Sequence, residues 1–192
     1  MYQWLNKRVN NYILLAFVVL STSMAFVWTS NEAGNLQKII SGSDNGYFKV
    51  LSNVNNVISF FIPIILLAFF NLTSRIVASI LDLKLDLEDL NVSIAYGFIP
   101  VLISVATYSI LISNLDTGLL SEGASLNQIS EICLANKFTM KDYTYVGYFS
   151  WLLFFIIYSL VVSKRCEVKL YKAFIICCMP TGIVLLVRVL FS

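Results

Sequence analysis

The chain has 192 residues and a mass of 21.6 kDa; 58% of its residues are hydrophobic, only 12% are charged, and the mean hydropathy is +0.81. Soluble domains carry ~25% charged residues, so these proportions exclude a soluble enzyme, a disordered tail and a nucleic-acid binder, and they point to a bilayer. The net charge of +2 steers no phosphate polymer, and the absence of histidine removes the commonest metal ligand, general base and pH switch.

A membrane-crossing helix needs ~20 mostly apolar residues, because the hydrocarbon layer is ~30 Å thick and each residue rises ~1.5 Å. Charge-free windows predict five spans, at about 12–29, 54–75, 92–113, 143–163 and 173–191. The expected fold is therefore an all-α polytopic bundle forming a single membrane domain over 1–192. The first window follows Lys7 and Arg8 and contains Ser23-Met24-Ala25, a pattern shared with cleavable signal peptides. Its apolar run continues through Phe26, Val27 and Trp28, longer than a signal core, and reads as a spanning helix.

Between the first two spans, Ser30 to Asn53 is rich in Asn, Gly and Ser and reads as flexible turns. Pro63 falls inside the second span, Pro100 inside the third and Pro180 inside the fifth; Gly97 and Gly182 lie within a turn of the last two. Each proline removes an N–H and frees the carbonyl four residues earlier, so each kink needs a neighbour to satisfy it. These five residues are the candidate kinks or hinges, serving either static packing or a broken helix beside a cavity.

The segment Leu81–Leu90 alternates apolar and charged residues. Its period of two predicts an extended stretch, although Leu83, Leu87 and Leu90 would also share one side of a helix. Asp82, Asp86, Glu88 and Asp89 make it acidic, fitting either a plain connector or a docking strip for a basic partner. Asn71-Leu-Thr73 and Asn91-Val-Ser93 match the glycosylation sequon, but their position in or beside the membrane marks them as chance matches. In the third span Ser104, Thr107 and Tyr108, like Ser21, Thr22 and Ser23 in the first, are expected to bond their own helix or let helices approach.

The loop from Asn114 to Asp142 holds Ser125-Leu-Asn-Gln128, a capping box followed by Leu126, Ile129, Ile132 and Cys133 on one face, which predicts a short amphipathic helix. Cys133, Cys166, Cys177 and Cys178 have neither a disulfide framework nor metal spacing and read as apolar fillers, with Cys166 beside Lys164 and Arg165 a candidate for palmitoylation in a eukaryotic host.

Counting Lys and Arg in short loops orients the chain. With the N-terminus inside, Lys7, Arg8, Arg75, Lys84, Lys164, Arg165, Lys169 and Lys172 are internal and Lys38, Lys49, Lys137 and Lys141 external. The expected topology is N-in and C-out, with Arg188 anchoring the last helix at the outer headgroups. No Asp, Glu or Lys lies deep in any span, so the marks of proton relays and ion pathways are missing. No catalytic constellation, cofactor site or metal site is expected.

Ala95-Tyr-Gly-Phe-Ile-Pro100 at the start of the third span, and Leu170-Tyr-Lys-Ala-Phe-Ile-Ile-Cys-Cys-Met-Pro180 in the last, pair aromatics and a basic entry with a proline. With five spans, this arrangement resembles the YIP family of Rab-interacting-protein-like membrane proteins over most of residues 54–192. The chain lacks the long polar N-terminal segment of eukaryotic members. The resemblance therefore implies a bacterial relative in the cytoplasmic membrane, with a eukaryotic secretory membrane as the alternative. It further implies an accessory or assembly subunit that meets another membrane protein, such as an ABC exporter, and is compatible with a homo-oligomer. The competing expectation is a small transporter or channel with a cavity between proline-kinked helices.

Overall fold

The computed structural model describes residues 2–41, 46–113, 133–135 and 138–191. Among these described residues are five helices: α1 (Tyr2–Ser41), α2 (Gly46–Ile80), α3 (Leu87–Ser113), α4 (Met140–Arg165) and α5 (Leu170–Phe191). All five predicted spans lie within these helices. Over Val9–Leu36, Val50–Ile80, Leu87–Ser113 and Lys141–Arg165, the first four are long and apolar enough to cross a membrane. In α5, side chains are described as far as Gly182.

The exposure pattern is that of a protein solvated by lipid. On α1, Ile13, Phe17, Leu20 and Met24 form an exposed stripe, while Asn11, Thr22, Ser23 and Ser30 are buried. An apolar stripe of that length in water is an aggregation surface; against acyl chains it is the natural exterior. The buried polar residues among those described are Asn, Ser and Thr, all uncharged.

Two expectations change. The turn-rich reading of 30–53 is wrong for most of its length, because α1 continues to Ser41 and α2 begins at Gly46. Tertiary packing outweighs the weak helix propensity of Asn, Gly and Ser here. Leu36 is buried against Ile112, Tyr108, Leu111 and Tyr143, and Gly34 lets Ser52 of α2 approach so closely that an added Cβ would lie 3.0 Å from its Oγ. At ~1.5 Å per residue, the 40 residues of α1 and 35 of α2 exceed the ~30 Å hydrocarbon layer, so their polar turns have room outside it.

The second change concerns the loop before α4. The capping box Ser125–Gln128 lies outside the described residues, and the end of the proposed amphipathic helix is strand: β1 (Cys133–Ala135) pairs antiparallel with β2 (Phe138–Thr139). Among the described residues, Thr139-Met-Lys-Asp142 forms a capping box. Thr139 Oγ1 accepts from the Asp142 amide at 3.2 Å, and Asp142 Oδ2 accepts from the Thr139 amide at 2.9 Å, which starts α4.

Packing divides the chain into two compact units. One comprises Met1–Leu20, Ile64–Pro100 and Trp151–Ser192; the other comprises Ser21–Pro63 and Val101–Ser150. In the first, the opening turns of α3 are buried nearly all round at Leu90, Val92, Ser93, Ile94, Ala95 and Phe98. Phe154 of α4 fills the centre, its ring 5.0 Å from Phe70, 5.2 Å from Phe98 and 5.7 Å from Tyr158. The second unit is held by a Thr29–Ser109 hydroxyl pair at 2.7 Å and by Tyr143. Tyr143 stacks on Tyr108 at 4.0 Å and shares a 2.8 Å hydrogen bond with Ser104.

Candidate functional site

The first unit carries most of the polar chemistry, in two layers. The deeper layer explains a proline. Pro180 has no N–H, so the carbonyl of Ile176, four residues earlier, loses its helical partner. Ser74 of α2 supplies one: its hydroxyl donates to Ile176 O at 3.2 Å and accepts from the Tyr158 hydroxyl of α4 at 2.9 Å. Ser74, Tyr158, Ile176 and Pro180 are all buried, so three helices meet around one freed backbone group. Beside this chain, Asn71 of α2 donates to Asn91 of α3 at 2.7 Å; both sequon asparagines thus serve as contacts between helices.

The other sequence candidates fall differently. α2, α3 and α5 continue as helix through Pro63, Pro100 and Pro180. Gly97 is a packing site, since a Cβ there would sit 2.9 Å from Phe154 Cδ2 and 3.2 Å from the Phe154 carbonyl oxygen. Gly182 faces open space. Next to Pro180, Leu66, Phe69, Phe70, Trp151, Phe155 and Thr181 line an apolar groove of about 350 Å³.

The second layer lies where α2 hands over to α3 and α4 to α5. Both turns close with the same hydrogen-bond pattern. Leu83 N–H donates to Ala78 O at 2.9 Å and Val168 N–H to Ser163 O at 3.1 Å, around left-handed Asp82 (φ 55°) and Glu167 (φ 53°). The period of two in the first turn is real: Leu81, Leu83 and Leu85 pack on Val77, Ala78 and Ile176, while Asp82, Lys84 and Asp86 are exposed. The helical alternative fails before Leu87, where α3 starts with Asp86 at its N-cap accepting from the Leu90 amide at 3.0 Å. Glu88 and Asp89 then occupy the first turn, where negative charge complements the helix dipole.

The four acids therefore divide. Asp82 and Asp86 face outward. Glu88 accepts from Asn11 of α1 at 2.9 Å, and Asp89 pairs with Arg165 of α4 at 3.1 Å. Arg165 also donates to Asn11 Oδ1 at 3.3 Å, which joins α1, α3 and α4 into one network. Sequence reasoning takes Arg165 only as an internal charge beside Cys166 and passes over Asn11; both stand just outside the apolar runs 12–29 and 143–163, and nothing in local pattern pairs them.

Around Asp89 and Arg165 opens a pocket of about 620 Å³, whose lining includes Tyr96 of α3, Leu160 and Lys164 of α4, and Glu167 in the following turn. Cys166 lies close by and is half-buried. Burial pushes its thiol up to about 11; Asp89 and Asp86 add to the shift and Arg165 opposes it. A thiol so seldom ionised is a poor nucleophile, which counts against acylation. No group of three metal-ligating side chains occurs among the described residues.

No family model, curated protein or solved structure matches the chain.

Proposed function

We propose that the chain is a non-enzymatic integral membrane protein, an accessory or assembly subunit of a transport or export complex that works through helix–helix contacts. The reading includes five spans with N-in and C-out topology, a YIP-like family placement and a bacterial cytoplasmic membrane. It also includes a larger membrane protein, such as an ABC exporter, as partner. The observation that carries it is the bond from Ser74 to the carbonyl that Pro180 frees. A hinge in a transport cycle has to exchange partners for its loose backbone group. Here the group is buried and held by a hydroxyl that a second helix holds in turn, so this kink suits a rigid scaffold. Asp82 and Asp86, exposed on the α2–α3 turn, are the acids left over for a basic partner surface.

The test is crosslinking in native membranes followed by purification under conditions that keep membrane complexes intact. A specific larger partner, captured by the wild type and lost from the Asp82→Lys/Asp86→Lys variant, is the expected result. A protein that runs alone at every expression level overturns the reading. Solute flux through liposomes holding only the purified chain replaces it with a transporter.

A further inference from the structure

The pocket at Asp89 and Arg165 combines charges of both signs with an aromatic and an aliphatic wall. Its charged lining is balanced, with Lys164 and Arg165 against Asp89 and Glu167, and its remaining wall includes Tyr96 and Leu160. Arg165 ends the apolar stretch of α4, so the charged rim lies at headgroup depth. Leu160, exposed on α4 one turn deeper, carries the same pocket onto the acyl-chain surface.

We infer that this pocket holds the headgroup of a phosphoethanolamine lipid, with the phosphate on Lys164 and Arg165 and the ammonium on Glu167 and Asp89. The proposal rests on α4 crossing the bilayer and is independent of any protein partner. Two observations select this headgroup. Lys164 is exposed, and Arg165 spends one donor on Asp89 and one on Asn11 out of the five that a guanidinium offers. N–H groups therefore remain for phosphate oxygens. Glu167 is exposed in the turn that closes α4 and lines the same pocket, so it brings a carboxylate to the wall that holds those cations. A primary ammonium has three N–H donors to give carboxylates, whereas a choline has none and a phosphoglycerol brings no cation. A volume of about 620 Å³ falls within the ~300–1,000 Å³ range of small-molecule sites.

The experiment reconstitutes the full chain in phosphatidylcholine nanodiscs with trace lipids that carry a photoreactive acyl chain and an ethanolamine, choline or glycerol headgroup. Adducts are mapped by peptide mass spectrometry. The ethanolamine probe is expected to label the Leu160–Val161 segment about tenfold more than the other two, the ratio that one charge-assisted hydrogen bond supplies. Glu167→Gln is expected to bring ethanolamine down to the choline level, and Lys164→Ala to lower labelling by all three probes. Both positions are exposed, and unchanged helical circular dichroism verifies folding. Equal labelling by the three probes, a glycerol preference, or an ethanolamine preference that survives both substitutions overturns the proposal. Displacement of the lipid probe by equimolar soluble glycerophosphoethanolamine also overturns it, because the site would then take a free phosphoamine and not a membrane lipid.

Discussion

A methyl group on the Cα of Gly97 would lie 2.9 Å from Phe154 Cδ2 and 3.2 Å from the Phe154 carbonyl. The ring could swing, but it is held by Phe70, Phe98 and Tyr158, and the backbone oxygen has nowhere to go. Gly97→Ala should therefore cost about 1–3 kcal/mol through overpacking. In a chain of this size that lowers the midpoint of thermal unfolding in detergent by roughly 2–4 °C per kcal/mol. Gly182, next to Pro180 and equivalent to Gly97 on sequence grounds, meets nothing; Gly182→Ala should leave the midpoint unchanged or raise it slightly. If the two substitutions behave alike, Gly97 is not a packing site. Cys166 gives a second test at this scale. With its thiol pushed to about 11, roughly one molecule in several thousand is ionised at pH 7.5, and thiolate rises about thirtyfold by pH 9. An ordinary thiol near ~8.5 gains only about eightfold over the same interval. Maleimide modification of the Cys166 peptide, followed by mass spectrometry, should be slow at pH 7.5 and show the steeper rise; modification at the rate of a free thiol at pH 7.5 contradicts the assigned environment.

Between elements, the bond from Ser74 to Ile176 O makes a prediction about a pair. Ser74→Ala removes the donor to a buried carbonyl and the acceptor for the Tyr158 hydroxyl, and should destabilise by about 1–3 kcal/mol. Pro180→Ala restores an N–H four residues after Ile176, so the carbonyl no longer needs Ser74. The double variant should then be more stable than the sum of the two single effects, with a coupling of about 0.5–1.5 kcal/mol in thermal or denaturant unfolding. Strict additivity would show that the cross-helix bond does not compensate for the proline. This chain also marks how far the sequence could be read. That Pro180 frees a carbonyl is written in one residue and the i−4 rule. Which hydroxyl answers it is not, because Ser74 lies 102 positions away and looks like any small residue on α2. The same holds for Asn11, Asp89 and Arg165: their spans were legible from hydropathy alone, but their meeting depends on helix rotation, which a segment buried nearly all round, such as the start of α3, does not encode. Where local period and packing agree, as at Leu81, Leu83 and Leu85, the reading survives. Where packing competes with propensity, as over 30–41, it does not.

For the molecule as a whole, the charges set which way the helices are expected to run. The start of α1, the end of α2, the start of α3 and the end of α4 fall in one compact unit, and the end of α1, the start of α2, the end of α3 and the start of α4 in the other. The ends in the first group and their connecting turns carry Arg75, Lys84, Lys164, Arg165, Lys169 and Lys172, whereas the sequence ranges of the second hold Lys38, Lys49, Lys137 and Lys141. Because lysine and arginine in short loops are retained on the cytoplasmic side, the α2–α3 and α4–α5 turns should be internal and the start of α4 external. Single cysteines decide this when introduced at Lys84→Cys, Lys169→Cys and Lys141→Cys in a background without the native cysteines; all three positions are exposed. A membrane-impermeant maleimide added to intact cells should label Lys141→Cys alone, and permeabilised cells should label all three. Labelling of Lys84→Cys and Lys169→Cys but not Lys141→Cys in intact cells would invert the topology. Labelling of only one of the two turns would remove either α3 or α4 from the spanning helices, and the side on which Lys141→Cys is labelled says which.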